Sequence, residues 1–215
     1  SLGYRPSWPK DPRAVVIPNG IAVGDPPSRS SLRDELGVPD DALLVMHVGR
    51  PSPEKNRARL PAVVAAIRRT RAAHLVLVGG AGSDADALDS AIGAAGLAGM
   101  VHQIGPVDEV RALLAHADVL VQPSLREGLP GVVLEALSVG TPVVSSDVPG
   151  AVWLAEQLEG LVTLPLSASD AEWSRAVLDA ESTPDRRLAL RVSFATSEFA
   201  FDRAVARHLR LYEAS

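Results

Sequence analysis

Short apolar runs recur along the chain, each followed by a polar turn and a segment of mixed character. "AVVIP" (14–18), "LLVMHV" (43–48), "HLVLVG" (74–79) and "MVHQIG" (100–105) are the first four runs. "DVLVQP" (118–123), "PVVSS" (142–146) and "LVTLP" (161–165) follow. These runs are continuous rather than alternating, so both faces of each predicted strand are buried. That is the signature of a parallel sheet covered by helices on both sides. The intervening segments carry apolar residues at spacings of three and four. "RARLPAVVAAIRRTR", "SDADALDSAIGAAG", "DEVRALLAHA" and "PGVVLEALSVG" read as helices, the last opening on Pro130 as first helical residue and stopping at Gly140.

This β-α order predicts an α/β fold, a doubly wound Rossmann-like parallel sheet of about six strands. From about Ala168 onward the pattern becomes helical throughout, giving a helical C-terminal tail. The last segment, "EFAFDRAVARHLRLYEA", puts Phe199, Phe201, Val205, Leu209 and Tyr212 near one face. Such a face has to pack on something.

Composition narrows the function classes. Of the 215 residues 47% are hydrophobic, enough for a substantial core and against disorder. No apolar run reaches the roughly 18 residues of a membrane span, and the first residues lack the apolar centre of a signal peptide. There are 0 cysteines, hence no thiolate chemistry and no disulfides. These features point to a cytoplasmic protein. A net charge of −5 argues against a nucleic-acid surface. Arginine supplies nearly all the positive charge; Lys10 and Lys55 are the only lysines.

In an open α/β sheet ligands bind beyond the carboxyl ends of the strands, so the chemistry belongs to the loops there. "GRPSPEKN" (49–56) carries Arg50 and Lys55, one able to grip diphosphate oxygens in pairs and the other a point charge. An ordinary solvated loop would look the same. "GGAGSDADA" contains Gly80-x-Gly82-x-x-Ala85, a partial dinucleotide fingerprint. No acid ends the next strand to hold a ribose, so the glycines read as a tight turn and "DAD" (84–86) as a helix cap. Gly105 to Val107 form a short turn whose backbone can face a planar base.

"REGLPGVVLE" (126–135) is the richest loop. Pro130 suits a helix start, and free N–H groups follow it at 131–133, a positive terminus suited to phosphate. Glu127 precedes that start. Glu135 lies about five residues inside, ~7–8 Å along the axis at 1.5 Å per residue, so both acids can border one pocket. Carboxylates accept hydroxyl hydrogen bonds well, which suits a ribose or a hexose. The helix dipole accounts for Glu127 without any ligand, but not for Glu135 on an otherwise apolar helix.

With these residues in place the chain resembles the C-terminal, nucleotide-sugar-binding domain of retaining GT-B glycosyltransferases of family 4. "VIPNGI" (16–21) is similar to that domain's opening segment, and "HVGRPSPEKN" (47–56) to its "VGR…EKG" segment. The stretch 117–150 carries the E-x7-E motif and its "E-A-x-x-x-G-x-P-V-V" continuation, and "GLVT" (160–163) matches a later strand. The final helix resembles the one that crosses back to the other domain in the family. The order and spacing of these pieces make the likeness specific.

The resemblance implies roles. Arg50 and Lys55 would neutralise the donor diphosphate, Glu135 would bind ribose hydroxyls, and Glu127 would contact the transferred sugar without acting as a covalent nucleophile. Backbone groups at Gly128, Leu129, Gly131 and Val132 would touch sugar and phosphate, and Gly105 and Val107 would face the base. It implies a UDP-, GDP- or ADP-sugar as substrate, no other cofactor and no metal. The chain departs from the common E-G-F-G at Leu129-Pro130, where proline removes a backbone donor. Asn56 replaces the commoner glycine, and Asn tolerates turn conformations.

The expected layout is a linker at 1–13, the nucleotide-sugar domain at 14–196, and a C-terminal helix at 197–215 that rests on an N-terminal GT-B domain or a partner chain. Without that acceptor domain, which could also supply peripheral membrane contact, the chain would be inactive by itself: a fragment or half of a split enzyme. A non-catalytic nucleotide-sugar-binding subunit or sensor, and a GT-B-type nucleotide-sugar epimerase, are the alternative functions. Base, sugar and acceptor are not legible.

Overall fold

A computed structural model describes residues 19–25 and 31–213 of the chain. The expected strand at 14–18, the linker at 1–13, Lys10 and the first half of the 16–21 segment lie outside these residues. In chain order the described elements are α1 (Leu32–Leu36), β1 (Leu43–Val48), α2 (Leu60–Ile67), β2 (Ala73–Val78), α3 (Ala85–Ala95) and β3 (Val101–Ile104). Then come α4 (Val110–Leu114), β4 (Val119–Gln122), α5 (Gly131–Ser138), β5 (Val143–Ser146), α6 (Pro149–Ala155) and β6 (Leu161–Leu164). Three helices, α7 (Asp170–Ala180), α8 (Pro184–Thr196) and α9 (Phe201–Glu213), complete the chain.

The six strands form one sheet in the order β3-β2-β1-β4-β5-β6, and every pairing is parallel. The register runs from Leu43↔Ala73 to Val48↔Val78 between β1 and β2, and from Val45↔Val119 between β1 and β4. The chain therefore winds outward from β1 in one direction, then crosses back to β4 and winds outward in the other. That reversal leaves a crevice beyond the carboxyl ends of β1 and β4, the topological switch point of a doubly wound sheet.

Side chains alternate between the two faces of each strand. Leu44, Met46, Val76, Val78 and Leu120 pack with Leu113, Leu134, Leu137, Phe194 and Phe199 on one side. Leu43, Val45, Leu75, Leu77, Val119 and Val121 pack with Leu60, Val64, Trp173 and Val177 on the other. Both sides of the central strands are thus buried, which is why their sequences are apolar without a gap.

Several expectations need adjustment. Pro130 is the N-cap of α5, with φ −74° and ψ 98°, and Gly131 is the first helical residue. Asp84 stands at the N-cap of α3, yet its carboxylate caps nothing, because it is committed elsewhere. Phe199 does not belong to the α9 face. It is buried, edge-on to Trp153 with ring centroids 5.6 Å apart, and its carbonyl accepts from the Ile21 N–H at 2.9 Å. The remaining members of that face, Phe201, Val205, Leu209 and Tyr212, are exposed, Tyr212 by 79%. The short helices α1 and α6 were not anticipated.

Candidate functional site

The loop after β1 leaves the sheet at Gly49 and makes two consecutive 3-10 turns, Pro53–Lys55 and Arg57–Arg59. Asn56 joins them in the left-handed conformation, φ 52° and ψ 39°, as its residue type allows. Its side-chain amide donates to the Pro123 carbonyl at 3.1 Å. The Leu125 N–H donates to the Glu54 carbonyl at 2.7 Å. These two bonds tie the β1 loop to the β4 loop across the switch point.

Glycines set how closely the neighbouring loops approach. A Cβ on Gly79, whose φ is 133°, would lie 2.1 Å from the Gly49 carbonyl oxygen, and one on Gly82 would lie 2.4 Å from Pro51. The "GGAG" run is therefore a seat for the β1 loop. Beneath it Arg57 is fully buried; its Nε donates to Asp84 Oδ2 at 2.7 Å and its Nη1 to the Gly80 carbonyl at 2.9 Å. The Arg57 hydrogen bond and charge hold the Asp84 carboxyl below its usual range despite burial. Neither Arg57 nor its pairing was visible in the sequence, since residue type carries no sign of burial.

Between the tied loops lies a crevice of about 350 Å³, lined by Arg50, Ser52, Glu54, Lys55, Arg126, Glu127 and Gly128. Lys55 Nζ is ion-paired with Glu127 Oε1, and the Ser124 hydroxyl donates to the same oxygen at 3.0 Å. Ser124 is buried, and its own carbonyl accepts from the Ser146 hydroxyl. Arg50 is exposed, and its guanidinium makes no hydrogen bond or ion pair among the described residues. The structure thus brings Arg50, Lys55, Glu127 and Gly128 to one place.

The other expected residues flank that crevice. Leu129 and Gly131 are exposed, and Val132 is partly buried against the core. No side chain caps α5. Helix geometry therefore gives the N–H groups of Gly131 and Val132 no intrahelical partner, while the Val133 N–H turns back to the Pro130 carbonyl at 3.1 Å. Gly150, at the start of α6, sits against the Gly128 carbonyl and holds this rim in place. Glu135 is half-buried, and its carboxylate forms no hydrogen bond or ion pair among the described residues, although its carbonyl accepts from the Ser138 hydroxyl at 2.7 Å. Burial, and then the charge of Glu109, raise its pKa, with Arg111 opposing them. Gly105 and Val107 are exposed at the end of edge strand β3, beside Gly80, and do not line the crevice.

His47 is buried near the end of β1, its Nε2 3.3 Å from where a Cβ on Gly49 would sit. Its Nδ1 is 2.9 Å from the Val121 carbonyl, so that nitrogen carries the proton, and its buried Nε2 has no partner. Burial lowers its pKa to about 4 and keeps the ring neutral. A second depression, about 490 Å³, lies outside the switch point along α9, between Glu198, Arg203, Arg207 and Arg210. Its residues lie on or just before one helix, and no strand ends feed it. Among the described residues no group of three or more His, Asp or Glu is arranged to hold a metal, and no helix is long and apolar enough to cross a membrane.

Known proteins are similar to this chain in sequence and in fold. The sequence model of the family described as Glycosyl transferases group 1 matches residues 28–192. The chain is 32% identical over 157 residues to the putative teichuronic acid biosynthesis glycosyltransferase TuaC of Bacillus subtilis, covering 71% of this chain and 38% of that protein. It is 32% identical over 198 residues to a D-inositol 3-phosphate glycosyltransferase of Actinosynnema mirum, covering 83% and 46%. The crystal structure of Anabaena Alr3699/HepE in complex with UDP-glucose superposes with a TM-score of 0.70 at 26% identity, covering 93% of this chain and 56% of that one. The chain therefore spans less than half the length of these two curated relatives.

Proposed function

The chain belongs to the glycosyl transferases group 1 family, and on that premise we propose that it is the donor-binding domain of a retaining glycosyltransferase. In this reading a nucleotide sugar lies in the crevice between β1 and β4. Arg50 and Lys55 face its diphosphate, with the open N–H groups of α5 behind. Glu127 meets the transferred sugar, Glu135 the ribose, and the loop at Gly105–Val107 the base.

The chemistry follows from charge. Cleaving the bond between the sugar and the diphosphate leaves negative charge on the departing phosphate and positive charge on the sugar. Two cations and a helix terminus stabilise the first without a metal. Glu127, beside the sugar, favours the second electrostatically. The acceptor would come from a further domain or chain, and the exposed apolar face of α9 would rest on it.

The observation that carries this reading is the convergence of Arg50, Lys55 and Glu127 at the switch point. The UDP-glucose bound by the Anabaena relative makes uridine nucleotides the first to test. Calorimetric titration of UDP, GDP, ADP and their glucose conjugates into the chain should give micromolar to millimolar binding for at least one pair. Arg50→Ala should weaken it roughly tenfold, the worth of one charge-assisted contact. Silence from all six compounds would remove the reading.

A further inference from the structure

In that reading Lys55 and Glu127 each have a ligand to meet, yet their side chains meet each other. Their side chains are mostly buried, 20% and 16% exposed, so the pair is shielded more than a surface ion pair. They cannot hold this contact at full strength and also face a diphosphate and a sugar. Glu127 has a second, fixed partner in the buried Ser124 hydroxyl, on its own strand-to-helix loop. The Lys55 ammonium has no other hydrogen bond or ion pair among the described residues. Its stem runs past Gly49, where a Cβ would lie 3.2 Å from the Lys55 Cδ. The lysine is the member of the pair that can swing; the glutamate is the member that is held.

Resting on the donor-binding reading above, we propose that Lys55 and Glu127 form a latch that distinguishes the nucleotide sugar from the bare nucleoside diphosphate. A diphosphate draws the Lys55 ammonium away, and Ser124 keeps Glu127 at the rim. The freed carboxylate then accepts hydroxyl hydrogen bonds if a sugar is attached. With no sugar, it faces the terminal phosphate with like charge, which is unfavourable. The latch thus favours donor over product at the same cations, and it speeds release of the nucleoside diphosphate after transfer.

The test is a thermodynamic cycle. UDP, GDP and ADP are titrated in turn into the wild-type chain, Glu127→Gln, Lys55→Ala and the double variant. Removing the carboxylate frees Lys55 and removes the repulsion, so Glu127→Gln binds the nucleoside diphosphate roughly tenfold tighter, the factor given by a coupling of about 1.4 kcal/mol. In the Lys55→Ala background the same change gains less, because no ion pair remains to be broken and only the repulsion is relieved. Glu127→Ala makes the same comparison should the glutamine variant fail to fold. Binding without tightening in Glu127→Gln, or equal tightening in both backgrounds, overturns the latch and leaves the donor site standing. Absence of binding in all four proteins removes both.

Discussion

The Gly150 Cα rests against the Gly128 carbonyl so closely that a Cβ at position 150 would lie 1.7 Å from that oxygen and 3.2 Å from the Leu129 Cα. The crevice rim and the start of α6 are therefore fitted to each other through the absence of a side chain. Gly150→Ala should push Gly128 and Leu129 outward, costing about 1–3 kcal/mol as overpacking does. Nucleotide-sugar affinity should fall more than the affinity for the free nucleotide, because the displaced backbone lies beside Glu127. Paired melting and titration experiments check both parts.

Arg57 and Asp84 are 1% and 6% exposed in their side chains, and each leaves the other unsatisfied if removed. Arg57→Ala should cost about 3–5 kcal/mol, since it strands a buried carboxylate. Arg57→Met combined with Asp84→Leu should recover most of that loss. Denaturant unfolding of the three proteins measures it.

Acid should weaken the fold through His47. Its folded pKa of about 4 lies below the ordinary 6.5, so the neutral ring is the favoured form. The stability it contributes is present above pH 6.5 and is lost as pH falls toward 4, by about 3 kcal/mol in all. His74 and His102, hydrogen-bonded to each other at 3.0 Å, are shifted in the same direction. His47→Asn keeps a donor near Val121 without titrating, and its stability should fall less steeply across that window.

Glu135 should show the opposite sign. Its folded pKa is raised, so the protonated form is favoured; its contribution is present below the ordinary 4.5 and lost as pH rises through the folded value. Glu135→Gln should therefore melt above wild type at pH 7, and the gain should vanish near pH 4. The same variant should bind nucleotide more weakly, since a half-buried carboxylate without a hydrogen-bond partner is what a ribose would satisfy. Thermal melts with and without UDP separate the two effects.

The six described strands were legible because burial on both faces leaves each apolar run unbroken, as in Leu43–Val48. The short α1 and α6 were not, because each begins in a serine-, proline- or glycine-bearing stretch, "SSLRDELG" and "DVPGAVW", that reads as a turn. Phe199 misled because the apolar spacing of α9 runs on into the turn before it. Proline fits both the cap and the first turn of a helix, so its residue type does not distinguish the cap that Pro130 forms from the first helical position. Arg50, Lys55 and Glu127 were visible as residue types on loops at strand ends. Their assembly was not: Lys55 meets Glu127 across 72 positions and Arg57 meets Asp84 across 27, and only strand order brings such pairs together. The close approaches at Gly79, Gly82 and Gly150 depend on backbone proximity and leave no mark in the sequence beyond the glycine itself.

The most direct measurement is a crystal structure of the chain with the nucleoside diphosphate that binds it best. The diphosphate should lie between Arg50 and Lys55, within hydrogen-bond reach of the Gly131 and Val132 N–H groups, with Lys55 turned from Glu127. A nucleotide found elsewhere, such as the Arg203–Arg210 depression on α9, with the Lys55–Glu127 pair intact, would contradict it.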